Sequence, residues 1–143
     1  MARIQLEKPD PVLFETVLPV RISDLNYGNH LGNDRVLTLA HEARMQFLLA
    51  KGFKNEVDIA NGIGFIIADS AVVYRSEAFY GDQLMVAIGA SDFNKYGFDM
   101  QYLMVNRETG KEVAIVKTGM VCFNYHERKV SGVPDALMSI LRT

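Results

Sequence analysis

One run of helical periodicity, from about Asn33 to Lys51, is followed by four strand-like runs with no second long helix among them; this order restricts the fold more than any other feature. Within the helical run, Val36, Leu39, Ala40, Ala43, Phe47 and Ala50 fall on one arc of a helical wheel. Asn33 is a suitable N-cap, Asp34 sits favourably against the positive end of the helix dipole, and Gly52 is placed to end the helix. Leu37, Met45, Leu48 and Leu49 carry apolar surface beyond that arc, so the helix is expected to be contacted on more than one side.

Residues 12–23, before the helix, are rich in β-branched side chains, and Pro19 within them implies an edge strand or a bulge, where a missing N–H costs no ladder bond. After an irregular stretch over 53–61, strands are predicted at 63–75, 83–91, 96–107 and 112–126. Turn chemistry at Phe79-Tyr80-Gly81-Asp82 and Glu108-Thr109-Gly110-Lys111 separates them. A short helix near Pro134 is predicted from the spacing of Leu137, Ile140 and Leu141. A strand, one long helix and then consecutive strands excludes repeated βαβ units. It predicts an α+β domain in which an antiparallel sheet wraps around one long central helix. No repeat or linker interrupts the pattern, so residues 1–143 are read as a single domain.

Composition removes several classes of function. With 49% hydrophobic residues in 143, the chain can bury a core. Its net charge of −2 is scattered, without the basic stripe that a nucleic-acid partner calls for. The lone Cys122 can form no internal disulfide, and no Cys/His cluster accompanies it, so no metal site is expected and a reducing compartment fits best. No apolar stretch resembles a secretory signal, and none approaches the roughly 18 residues of a membrane span. The expectation is a cytoplasmic protein.

The segment with most chemistry is Asp24-Leu25-Asn26-Tyr27-Gly28-Asn29-His30-Leu31-Gly32-Asn33, between a strand end and a helix start. Free backbone N–H groups at a helix N-terminus can donate to an oxygen that becomes negative, and the dipole adds favourable potential. A thioester carbonyl under attack requires such a donor.

This segment resembles the D-x-D-x-x-G-H-V-N-N signature of hotdog-fold thioesterases related to the 4-hydroxybenzoyl-CoA thioesterases. His41-Glu42-Ala43-Arg44 is similar to the E-A-R run of that family's central helix. Tyr74-Arg75-Ser76-Glu77-Ala78 with Gly81-Asp82-Gln83-Leu84 resembles its Y-R-x-P-A…G-D-x-L strand and turn. The likeness runs from about residue 15 to 126. Asp24, His30 and Asn33 match; the family's second Asp, its nucleophile or base in many members, falls on Asn26, the Gly before His is Asn29, the first Asn of the pair is Gly32 and the helix Tyr is Val36.

The resemblance implies a hotdog fold and hydrolysis of an acyl-CoA or acyl-carrier-protein thioester to a free acid and a thiol, with no metal or redox cofactor. It also implies a homodimer or homotetramer with the acyl site between subunits. Asp24, Asn26, His30 and Asn33 would carry catalysis, and Tyr27, Gly32, Phe65 and Ile67 would contact substrate. An amide cannot take a proton as a carboxylate does, so three arrangements stay open at Asn26. Asp24 is the base while Asn26 and His30 orient water or the carbonyl; or His30 is the base; or the domain binds acyl thioesters or fatty acids without cleaving them.

Plainer roles stand beside these. Asp24 can end the strand through an Asx turn, and Asn33 can be a cap alone. Glu42, nine residues after Asn33, turns through about 900° on an ideal helix and so faces the other way, which suits an ion pair or an interface. Cys122 is an ordinary strand cysteine, and His41 and His126 are peripheral.

Overall fold

The computed structural model describes residues 1–142. Strand β1 (Phe14–Pro19) and a 3-10 turn (Ile22–Asp24) lead into helix α1 (Asn33–Ala50). Strands β2 (Ile63–Tyr74), β3 (Gln83–Ser91), β4 (Gly97–Asn106) and β5 (Glu112–Asn124) follow, then a two-residue strand β6 (Lys129–Val130) and helix α2 (Asp135–Leu141). All pairings are antiparallel, in the order β1-β3-β4-β5-β2, with β6 added beside the end of β5. Because β1 and β2 occupy opposite edges, the chain between them must cross the sheet, and α1 makes that crossing. The α+β fold follows: one helix lies in the hollow of a curved antiparallel sheet.

Alternation along the strands supplies the hollow. Val86 and Ile88 on β3, Met100 and Met104 on β4, and Val116 and Met120 on β5 all point inward and are buried. Opposite them α1 buries Val36, Leu39, Ala40, Ala43 and Phe47, as its periodicity predicts. Ala50 departs from that prediction: it is exposed, and Leu48 and Arg44 are buried instead. The last turn explains the change. Gly52, at φ 93, donates to the Leu49 carbonyl at 3.1 Å and Phe53 to that of Leu48 at 3.0 Å, a Schellman arrangement that turns Phe53 back onto the core. The helix therefore closes over Leu48 rather than Ala50.

Arg44 is buried because it is paired. Its guanidinium meets the Glu56 carboxylate and donates to the Tyr102 hydroxyl at 3.0 Å, and that hydroxyl shares a 2.8 Å hydrogen bond with Thr118. Glu56 lies in the irregular stretch after α1, and its carbonyl accepts from Phe65 N–H at 2.7 Å, so the network also anchors the start of β2.

The strand predicted over 12–23 is shorter, ending at Pro19 on the sheet edge, because Arg21 and Asp24 fold the chain into the 3-10 turn. No helix among the described residues is long and apolar enough to cross a membrane.

Candidate active site

Between β1 and α1 the chain makes a closed loop. Leu25 and Leu31 pair across its base, Asn26 N–H donates to the His30 carbonyl at 2.8 Å, and Asn29 N–H donates to the Asn26 carbonyl at 3.1 Å. The side chain of Asn26 works inside this turn: its Oδ1 accepts from Gly28 N–H at 2.9 Å and more weakly from His30 N–H at 3.4 Å. Asn29, at the family's glycine position, has φ 65; asparagine is among the few side chains that tolerate that left-handed conformation, so the turn survives the exchange.

Asp24 holds the loop from below. Its carboxylate is fully buried and accepts from the Arg21 N–H at 2.8 Å and from the Arg21 guanidinium at 3.2 Å through both oxygens, while its carbonyl accepts from Gly32 N–H at 2.9 Å. Burial by itself would raise its pKa, but the hydrogen bonds and charge of Arg21, with the charge of Arg35, outweigh it and hold the carboxyl below its usual range. A carboxylate engaged in this way does not face the cleft. Asp24, a base in one of the three arrangements, thus lies beneath the loop on Arg21 and not among the residues that line the cleft.

The N-cap of α1 is Gly32, not Asn33; Gly32 makes no side-chain cap, and Asn33 is the first helical residue. Asn33 turns its Oδ1 to the Asp34 N–H at 2.9 Å, and its carbonyl accepts from Tyr74 O–H at 3.0 Å. The Asn33 N–H itself has no acceptor among the described residues. It is the orphan donor that a helix start leaves open.

These elements frame a cleft of about 330 Å³. Asn26, His30 and Asn33 line one side, and Tyr74, Arg75 and Glu77, from the end of β2 and the turn after it, line the other. The Leu31 N–H donates to the Ala78 carbonyl at 2.8 Å and so docks the two sides together. Gly28 packs against the His30 ring, where a Cβ would lie 3.1 Å from Nε2. His30 Nδ1 lies 3.3 Å from the Leu31 carbonyl and 3.5 Å from Asn26 Nδ2, and its Nε2 lies 3.9 Å from Glu77 Oε1.

The other expected substrate contacts are not in this cleft. Tyr27 projects from the loop fully exposed, and Gly32 serves the helix cap. Phe65 is a core residue, edge-on to Phe98 with ring centroids 5.8 Å apart, because the Glu56 contact and a 2.6 Å hydrogen bond from Tyr125 O–H to its carbonyl draw the start of β2 inward. Ile67 is 46% exposed on the sheet edge. Cys122 is fully buried, and burial pushes its thiol up to about 11, so it is no nucleophile. Ser76 Oγ donates to the Glu112 carbonyl at 2.6 Å. Glu42, exposed on α1, accepts from Gln46 at 3.2 Å and stands away from the cleft, and His41 reaches Glu56 at 3.3 Å. Among the described residues no three His, Cys, Asp or Glu side chains gather as metal ligands.

Sequence reasoning missed Glu77. The available signal was its place in Tyr74-Arg75-Ser76-Glu77-Ala78, where the related pattern has proline and this chain has a carboxylate.

Solved structures share this architecture. A 1,4-dihydroxy-2-naphthoyl-CoA thioesterase from Synechocystis is 19% identical, with TM-score 0.81 over 90% of this chain and 94% of that one. A probable thioesterase from Escherichia coli is 23% identical, with TM-score 0.74 over 89% and 95%. A Staphylococcus aureus protein solved in complex with CoA is 15% identical, with TM-score 0.79 over 89% and 80%. At these identities the likeness establishes the hotdog fold. No curated protein matches in a sequence search. The profile of the thioesterase-like superfamily matches residues 20–141, which run from just after β1 to the end of α2. The chain belongs to the thioesterase-like superfamily, and the activity class that this membership carries is thioester hydrolysis.

Proposed function

We propose that the chain hydrolyses acyl-CoA thioesters in the cleft at the start of α1. The observation that carries this reading is the free N–H of Asn33, at the positive end of an 18-residue helix, in a residue that lines the same cleft as His30. When water attacks the acyl carbon, negative charge develops on the carbonyl oxygen, and a preformed donor there stabilises the transition state more than the ground state. His30 stands where it can orient the acyl group or the water. Arg75, exposed at the cleft wall, suits the phosphates of an anionic carrier, and a fold relative binds CoA. Hydrolysis exchanges no electrons, so water is the one co-substrate this reading requires.

The reading includes a homodimer in a reducing compartment such as the cytoplasm. The edge strand β2 pairs with no named strand but β5; residues 56–60 cover its start, and beyond them Ile66 and Ile67 are exposed, an open edge suited to a second copy that would complete the acyl site. Incubation with acyl-CoAs of graded chain length, aromatic acyl-CoAs and acyl-carrier proteins, with a thiol reagent, tests the activity. Thiol release is expected from CoA thioesters. Absence of release from every substrate overturns the proposal.

Asn26 in place of a carboxylate, together with the locked Asp24, favours a second reading: an acyl-thioester or fatty-acid binding protein without turnover. Thermal stabilisation by acyl-CoA with no thiol release would select it.

A further inference from the structure

We propose that Glu77 is the general base of this site, taking over from the opposite wall the role that Asn26 cannot perform; the proposal rests on the hydrolase reading above. Glu77 is the one carboxylate among the described residues lining the cleft. Asp24 is excluded by its burial and its bonds to Arg21, and Asn26 by its chemistry and by the Gly28 N–H that occupies its Oδ1. The Glu77 side chain is 65% exposed and has no hydrogen-bond donor of its own among the described residues. Its 3.9 Å separation from His30 Nε2 is too long for a direct hydrogen bond and leaves both groups free to hold one water.

The state of His30 bears on the choice of base. Because Asn26 Oδ1 accepts from Gly28, its Nδ2–H faces His30 Nδ1 at 3.5 Å; in the tautomer that accepts this bond the ring proton sits on Nε2, toward Glu77. In that tautomer the imidazole donates and the carboxylate is the proton acceptor facing the cleft. The opposing contact, Nδ1 to the Leu31 carbonyl at 3.3 Å, would free Nε2 as the base instead. The two arrangements differ in what Glu77 does.

In the proposed step, Glu77 takes a proton from water as the water oxygen bonds to the acyl carbon. The carbonyl π pair moves to oxygen, to which the Asn33 N–H donates a hydrogen bond. Collapse re-forms the C=O bond and breaks C–S, the electron pair leaving on sulfur. The proton held on Glu77 passes to the thiolate, so that acid and thiol are released and the carboxylate is restored.

The test is E77Q, isosteric and on the surface, beside the wild type. With an acyl-CoA that the wild type cleaves, kcat is expected to fall by about 100-fold or more, the usual share of general-base catalysis, while affinity for a non-hydrolysable thioether analogue stays unchanged. The acid limb of the kcat–pH profile should vanish in the variant. The groups around Glu77 that shape this limb are His30, Arg75 and, 3.8 Å beyond Arg75, Glu112. Unchanged kcat with an unchanged acid limb overturns the assignment and points to His30 as base, leaving the hydrolase reading intact. A rise in KM alone makes Glu77 a binding residue and overturns it too. If the wild type cleaves no thioester, the hydrolase reading fails first, and the assignment fails with it.

Discussion

Arg44 on α1 donates to the hydroxyl of Tyr102 on β4 at 3.0 Å, in the interior between helix and sheet. A buried guanidinium is tolerable only with partners, and here Glu56 and Tyr102 supply them. Removing one side strands the other. R44A is expected to destabilise the fold by about 3–5 kcal/mol, the range for breaking a buried pair. Y102F, which leaves Arg44 with Glu56 but costs it and Thr118 one partner, should cost about 1–3 kcal/mol. Urea unfolding of both variants checks the order; equal and small losses would show that the network contributes nothing.

The Asp24 carboxylate makes the stability acid-sensitive. Its folded pKa lies below the ordinary 3.8, so the stabilisation it provides is complete above that value and is lost as pH falls through the lower folded pKa. D24A should therefore be less stable than wild type by about 2–3 kcal/mol at neutral pH, and the gap should close in strong acid. Denaturation midpoints of wild type and variant across pH 2–7 test the sign, on a scale of order set by the carboxylate range. A gap that widens toward low pH would contradict it.

Asn33 offers a clean deletion of the oxyanion donor. Proline fits the first helical position, where its fixed φ is already helical, so N33P removes the N–H without breaking α1. Turnover should fall by about 100–1000-fold with little change in melting temperature. N33A keeps the N–H and should stay near wild type, because the cap belongs to Gly32. If N33P and N33A lose activity equally, the side chain, not the backbone, matters.

The exposed edge of β2 predicts a concentration-dependent assembly. I66K places a charge on the unpaired edge beside Ile67 and should shift the protein to monomer in light-scattering chromatography without unfolding it. A monomeric wild type would remove the dimer from the proposal.

Much of the fold was legible because its signals are local. The period of Val36, Leu39, Ala40, Ala43 and Phe47, the positive-φ glycine at 52 and the turn residues between strands each act over a few residues, and the bounds of β2 and β3 follow them closely. The loop from Asp24 to Asn33 was equally visible, and the cleft does gather Asn26, His30 and Asn33. What stayed hidden depends on distant partners. Nothing beside Arg44 in the chain shows that Glu56 and Tyr102 make its burial possible, and nothing beside Ala50 shows that Phe53 folds back over Leu48. Phe65 and Ile67 share a strand face, yet one is core and the other edge, because burial is set by what packs on the strand rather than by its alternation. Glu77 comes to 3.9 Å from His30 across a junction where the Leu31 N–H docks on the Ala78 carbonyl, 47 positions along the chain. Periodicity and turn chemistry, acting between near neighbours, thus determined the elements and the loop that carries the chemistry. The clasp of Arg21 on Asp24 closes over three residues and is local too; tertiary packing, acting between residues far apart in the chain, decided which carboxylate faces that loop across the cleft.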